Sequence, residues 1–170
     1  MGILDGNPKD EPLHYGEVFS MWSYMAGGQG IHVLYQTLAN HAGDEDLKKL
    51  LHDIVNKSAS QIKQVALVLK ENGVALPPSP PEPPTANLED IPAGARIMDQ
   101  EICAIIGADT AAGLMSCSQI MGMCIREDIA KMFGQFHMEK AMIGEQTLHL
   151  SKEKGWLIPP PLHNARPENA

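Results

Sequence analysis

The sequence predicts an all-α fold, a four-helix bundle built from two αα-hairpins. Three observations carry this. A proline-rich stretch at 73–92, GVALPPSPPEPPTANLEDIP, divides the chain into halves of similar length. Two pairs of segments repeat in one register across that divide. Each half carries apolar stripes at helical spacing that stop at glycine.

The stretch holds seven prolines, at 77, 78, 80, 81, 83, 84 and 92. Each proline removes a backbone donor and clashes with the preceding turn, so no helix survives that density. Such a run is extended and semi-rigid. Across it, QVALVLKENGVALPP from Gln64 matches QTLHLSKEKGWLIPP from Gln146, an offset of 146 − 64 = 82. The same offset pairs GDEDLKKLL from Gly43 with IREDIAKMF from Ile125. Two matches in one register suggest an internal duplication of a helical hairpin.

The first helix is expected over 12–42, starting at Asp10 or Glu11 with Pro12 in its first turn. Its apolar stripe reads Tyr15, Val18, Phe19, Trp22, Met25, Ala26, Val33, Leu34 and Leu38. Gly27, Gly28 and Gly30 interrupt it, each costing roughly 1 kcal/mol relative to alanine; they permit either close backbone approach or a kink. The second helix is expected over 44–72, with Asp44 as N-cap and a seam of Leu47, Leu51, Ile54, Ser58, Ile62, Val65 and Leu69. The third is expected over 94–125 and the fourth over 127–154, ending at Gly155 with Trp156 as the apolar contact that follows. The domain organisation is therefore a single domain over 1–170. It comprises a hairpin at 12–72, a crossover at 73–92, a hairpin at 93–155 and an extended tail at 156–170 lying along the bundle.

Reach sets the topology. A helix of ~28 residues is ~42 Å long, and an extended segment from Gly73 to Asp90 spans ~55 Å. The connection can carry the chain back along the whole bundle, so the second and third helices are expected to run parallel. That is the one-crossover, ferritin-like arrangement. A plain up-down bundle needs only a short loop there.

Composition narrows the function. The 170 residues carry a formal net charge of −8 without a basic block, which argues against nucleic acid or an anionic membrane as a partner. The N-terminus lacks the charged and apolar regions of a signal peptide, and Asn7 and Pro8 spoil a myristoylation site at Gly2. Three cysteines without framework spacing fit a reducing compartment. The expected localisation is cytoplasmic or spore-associated, the latter on the resemblance given next.

HAGDEDLKKLLHD at 41–53, LKENGVALPP at 69–78 and GWLIPPPLH at 155–163 resemble an uncharacterised family from spore-forming Firmicutes. Its members are ferritin-like four-helix bundles, often described as spore-coat or coat-protein-F-like proteins. Many carry the four-helix unit in tandem, whereas this chain has one copy. The resemblance covers nearly the whole chain. It implies the fold and a coat-associated role, and it carries over no catalytic residue.

A ferritin-like di-metal site needs a Glu on each of two helices and Glu-x-x-His on each of the other two. The second helix has no Glu-x-x-His. The fourth has Glu145 and His149, four apart, and the 82-residue offset places Lys63 and Leu67 at the matching positions. Symmetric di-iron chemistry is not specified. A degenerate metal site of His32, His52, Asp109 and Glu145 is the alternative, since helix rises put three of these at similar heights and His52 a turn away. The plainer expectation has Glu145 and His52 facing water and Asp109 bonded to a hydroxyl or a histidine. His137 reads as a satisfied core histidine. Cys103, Cys117 and Cys124 share one stripe of the third helix, as small residues at a packing seam. The methionines at 98, 115, 121, 123, 132, 138 and 142 read as core filler. No phosphate loop, Ser-His-Asp signature or Cys-x-x-Cys is present.

The expected function is a non-catalytic structural or interaction protein with no cofactor. The alternative is a metal or small-molecule binder, with iron or another divalent ion in the degenerate site. No Asp, Glu, Lys or Arg lies between Glu17 and Asp44, and only Asp109 lies between Glu101 and Arg126. Bundle helices normally keep one charged, wet face. The first and third helices are therefore expected to be covered on more than one side, in a homodimer or among spore-coat proteins.

Overall fold

A computed structural model describes residues 10–163. It contains four α-helices: α1 (Tyr15–His41), α2 (Glu45–Glu71), α3 (Asp99–Met123) and α4 (Glu127–Glu153). No strand occurs among the described residues. α1 packs chiefly on α2 and α3 on α4, as two hairpins laid side by side.

Contacts at the helix ends fix the directions. His14, just before α1, bonds to the carbonyl of Met123 at the end of α3 (3.0 Å). Gly43, just after α1, donates to Asp99 at the start of α3 (2.8 Å). α1 and α3 are thus antiparallel. Lys154 after α4 reaches Asp44 before α2 (2.8 Å), and Arg126 before α4 reaches Asn72 after α2 (3.4 Å). α2 and α4 are antiparallel too, so α2 and α3 run the same way. The connection between them returns along α1. Trp22 Nε1 donates to the carbonyl of Ala75 (3.0 Å). Asn40 donates to the carbonyl of Pro84 (3.0 Å) and accepts from Ala86 N–H (3.1 Å).

The two halves match at the 82-residue offset in the lengths of α2 and α4 and in their glycine stops. α2 and α4 begin and end 82 residues apart. Gly73 and Gly155 take φ of 71° and 72°, the left-handed turn that glycine enters without a Cβ penalty. Val74 N–H bonds to Leu69 (2.9 Å) and Trp156 N–H to Ser151 (2.8 Å), the Schellman pattern in both places. The turns at the other helix ends match as well. Asp99 accepts from Gly43 and Asp44 N–H at 2.8 and 3.0 Å. Glu17 accepts from Ile125 and Arg126 N–H at 2.8 and 2.9 Å. Each hairpin turn is closed by a carboxylate from the opposite hairpin.

The core divides into two clusters. One gathers Tyr35, Leu38, Leu51, Ile54, Ile102 and Ile106. The other gathers Met21, Met25, Val65, Leu69, Phe133 and Phe136. Burying a side chain of this size stabilises the fold by about 1.5–3 kcal/mol.

Several expectations need correction. α1 starts at Tyr15, not at residue 12, because His14 Nδ1 accepts from Gly16 N–H (2.9 Å) and Glu17 reaches back to His14 N–H (3.1 Å). That reciprocal cap outcompetes a proline start. α3 begins at Asp99 rather than 94. Short 3-10 turns at Leu88–Asp90 and Ala93–Ala95 come first, and Glu101 then accepts from Met98 N–H (2.8 Å). The α1 stripe holds in part: Met25 and Leu38 are buried as expected, but Tyr15 is 95% and Phe19 71% exposed, and the buried face at that end of the helix is formed by Glu17 and Met21 instead. Met98, Met115, Met123, Met138 and Met142 are exposed, so they are not core filler. Cys103 and Cys117 are buried within the two core clusters, as small residues at a packing seam, and Cys124 is half-buried. Glycines 27, 28 and 30 mark no close approach. A Cβ at Gly27 or Gly30 would meet nothing within 4 Å, and at Gly28 only Ile62 at 3.7 Å. The tail over 157–163 is exposed rather than laid on the bundle. Its remainder and the N-terminal readings at Gly2, Asn7 and Pro8 lie outside the described residues.

Candidate functional site

A cavity of about 590 Å³ opens between α1 and α3, at the junction of the two core clusters. The sequence explains the gap. Facing positions on the two helices are small: Ser20, Ser23, Gly27 and Gly28 on α1, and Ala112, Gly113 and Ser116 on α3. α1 and α3 pack mainly on their hairpin partners and less on each other. Tyr24, Tyr35, Gln61, Asp109, Thr110 and Lys140 reach the cavity from behind.

These groups form two hydrogen-bonded chains. Tyr24 OH donates to Gln61 Oε1 (2.9 Å), and Gln61 Nε2 donates to Glu139 Oε2 (2.7 Å). Gln61 is 4% exposed, so these bonds offset the cost of burying its amide. Tyr35 OH donates to Asp109 Oδ2 (2.7 Å). Burial drives both tyrosine hydroxyls far above the usual phenol range, with Asp109 adding to the effect at each. Both remain protonated donors at physiological pH and cannot serve as bases. The Tyr24 ring packs edge-on to Phe133 (5.0 Å between centroids) and stacks on Phe136 (6.0 Å). Lys140 Nζ stands 5.8 Å from the Tyr24 ring centre, within reach of a cation–π attraction.

The four metal candidates do not converge. Asp109 takes the Tyr35 hydroxyl. His32 Nδ1 lies 2.7 Å from Ser58 Oγ, and the Ser58 hydroxyl donates to Val55 O (2.9 Å). His32 is therefore the donor, through an Nδ1–H tautomer. His52 and Glu145 are exposed. Among the described residues no three His, Cys, Asp or Glu side chains lie where they could share a metal ion. Burial also raises the thiols of Cys103 and Cys117, and it pushes Cys124 up to about 11. None is a thiolate nucleophile at neutral pH.

Tyr24, Tyr35, Gln61 and Lys140 escaped the sequence reading. One signal was available: Gln61 falls among the apolar positions of α2, where an unpartnered amide is costly.

Related proteins place the chain. It is 62% identical over 163 residues to the uncharacterised protein YvdQ of Bacillus subtilis strain 168, covering 96% of each chain. It also matches the crystal structure of a candidate spore coat protein from Bacillus halodurans C-125, with a TM-score of 0.90 and 54% identity. That match covers 93% of this chain and 99% of the other. No helix of the described residues is long and apolar enough to cross a membrane. The family model for the protein of unknown function DUF3231 matches residues 1–168, and the chain belongs to that family.

Proposed function

We propose that this is a non-enzymatic structural or interaction protein of the sporulating cell, associated with the spore, which self-associates as a homodimer through the outer faces of α1 and α3. One observation carries the reading. Tyr15 (95% exposed), Phe19 (71%) and Met115 (68%) stand out from helices that lack charge along most of their length. Large apolar side chains exposed on uncharged helix faces are candidates for interaction sites. The spore-coat description of the Bacillus halodurans protein supports the setting. The matched glycine stops and turns at the 82-residue offset support duplicated hairpins, joined by the proline-rich crossover into one ferritin-like domain.

Light scattering at high micromolar concentration tests the dimer. The expected result is twice the chain mass for the wild type and a monomer for a Phe19→Ser/Met115→Ser double variant. A wild-type monomer overturns the dimer. A fluorescent fusion in a sporulating Bacillus tests the setting: signal gathers on the forespore, and an even cytoplasmic signal overturns it. The reading assigns no resident metal. Anaerobic loading with ferrous iron should leave less than stoichiometric metal and no oxygen uptake. Stoichiometric iron that is lost in Asp109→Ala would establish the degenerate site instead.

A further inference from the structure

The lining of the α1/α3 cavity extends along α1 from Gly16 to Tyr35, about 28 Å at the helical rise. A volume of about 590 Å³ spread over that length makes a narrow slot. The volume lies within the usual range for small-molecule sites, and such sites are mostly apolar with a few placed polar groups. Phe19, Ile31, Ile62, Ile120 and Met123 supply apolar wall. At Gly27 the wall is bare helix, with open space where a Cβ would stand.

One charged group in this slot, Lys140, has neither an ion-pair partner nor a hydrogen-bond partner among the described residues. Lys140 belongs to α4, behind α3, and reaches the cavity by crossing Gly113. A Cβ at 113 would lie 2.7 Å from Lys140 Cδ and 3.1 Å from its Nζ. Glycine is thus the notch that lets the lysine through. Among the described residues Lys140 has no carboxylate within salt-bridge distance. The other charges at the cavity are engaged: Lys57 pairs with Asp53, and Asp109 holds the Tyr35 hydroxyl. Glu139, next to Lys140 in the chain, is taken by Gln61. A half-buried ammonium in an apolar slot is stabilised by an anion.

We propose that the α1/α3 slot binds a single-chain amphipathic carboxylic acid, its carboxylate on Lys140 and its hydrocarbon chain along the apolar walls. This goes beyond the assembly reading and does not depend on it. The probe is a dansyl-labelled undecanoic acid, titrated by fluorescence against the purified full-length protein, with its methyl ester as the uncharged comparison. The acid saturates at one molecule per chain and binds more tightly than the ester. Lys140→Met weakens the acid roughly tenfold, as for loss of a charge-assisted hydrogen bond, and leaves the ester nearly unchanged. Gly27→Leu fills the slot and abolishes binding of both, and circular dichroism shows it folded, since leucine is the better helix former. Light scattering on the same samples reads self-association separately, so loss of the dimer and loss of the site are told apart. No saturation by the acid, equal affinity for acid and ester in the wild type, or unchanged binding in Gly27→Leu overturns the proposal.

Discussion

Where α3 turns into α4, Glu17 is 1% and Arg126 3% exposed. Glu17 takes three backbone N–H groups there, from His14, Ile125 and Arg126. Arg126 grips Asp128 through two bonds of 3.1 and 2.7 Å and reaches the Glu11 carbonyl and Asn72. At the opposite end, where α1 turns into α2, the positions 82 residues away do the same work in contact with water. Asp99 takes two N–H groups. Lys154 reaches Asp44 and Asp46, which stand opposite Arg126 and Asp128 at that offset. The cation sits on the N-cap of α4 at one end and past the C-terminus of α4 at the other, so the same bridge is made with its charge moved. The contrast separates geometry from energy. Geometry is shared, but an ion pair gains strength only as water is excluded.

The largest effect expected from breaking this symmetry is at Glu17. Glu17→Ala strands three N–H groups, that of Arg126 buried and those of His14 and Ile125 partly so, and should cost about 3 kcal/mol in urea unfolding. Asp99→Ala, in the wet turn, should cost about 1 kcal/mol. Equal costs would show that burial does not govern the difference. Next is Arg126→Met, expected to cost roughly 2 kcal/mol. That is below the range for a fully buried pair, because the Asp128 side chain stays 29% exposed. Lys154→Met should leave the urea midpoint almost where it was, since exposed pairs contribute little. Gly73→Ala and Gly155→Ala should each cost about 1 kcal/mol through the left-handed φ they share. Here the ends should agree, and a gap between the two would break the equivalence. The smallest effect is on pH. Arg126 holds the Asp128 carboxyl below its ordinary 3.8. The folded value is the lower one, so its contribution is present above 3.8 and lost as pH falls through the folded value. Lys154 depresses Asp44 in the same direction. Urea midpoints taken below about pH 4 should fall for the wild type and fall less for Asp128→Asn. Added salt should weaken only the Lys154 end.

The helices, their glycine stops and the register between the halves were legible because they are local signals. Gly73 and Gly155 needed only the chain around them. The face of α1 was not legible, since apolar residues lie on both sides of it. Tyr15 and Phe19 look as suited to a core as Met21 and Met25, and only the position of α2 chooses between them. The pairing of Glu17 with Asp99 was hidden for a different reason. The residues differ in type, and the segments around them do not match at the offset, so nothing in the string marks them as equivalents. The metal candidates were placed by height along each helix, which ignores the direction a side chain faces. His52 and Glu145 turn outward, and no count of rises reveals that. The cavity depends on an absence of side chains at Gly27 and Gly113, and a glycine reads the same whether it borders a contact or a space.

The reciprocal closure of the two turns has a consequence for cutting the chain. The carboxylate that finishes the 10–78 fragment's turn, Asp99, lies on the 88–163 fragment, and Glu17, which finishes the turn of 88–163, lies on 10–78. Neither piece contains the acceptor its own turn requires. A backbone break between 79 and 87 therefore leaves two incomplete fragments that each carry the other's missing part. Mixed together they should recombine into a one-to-one complex, a split-protein switch cut within the semi-rigid proline-rich connection.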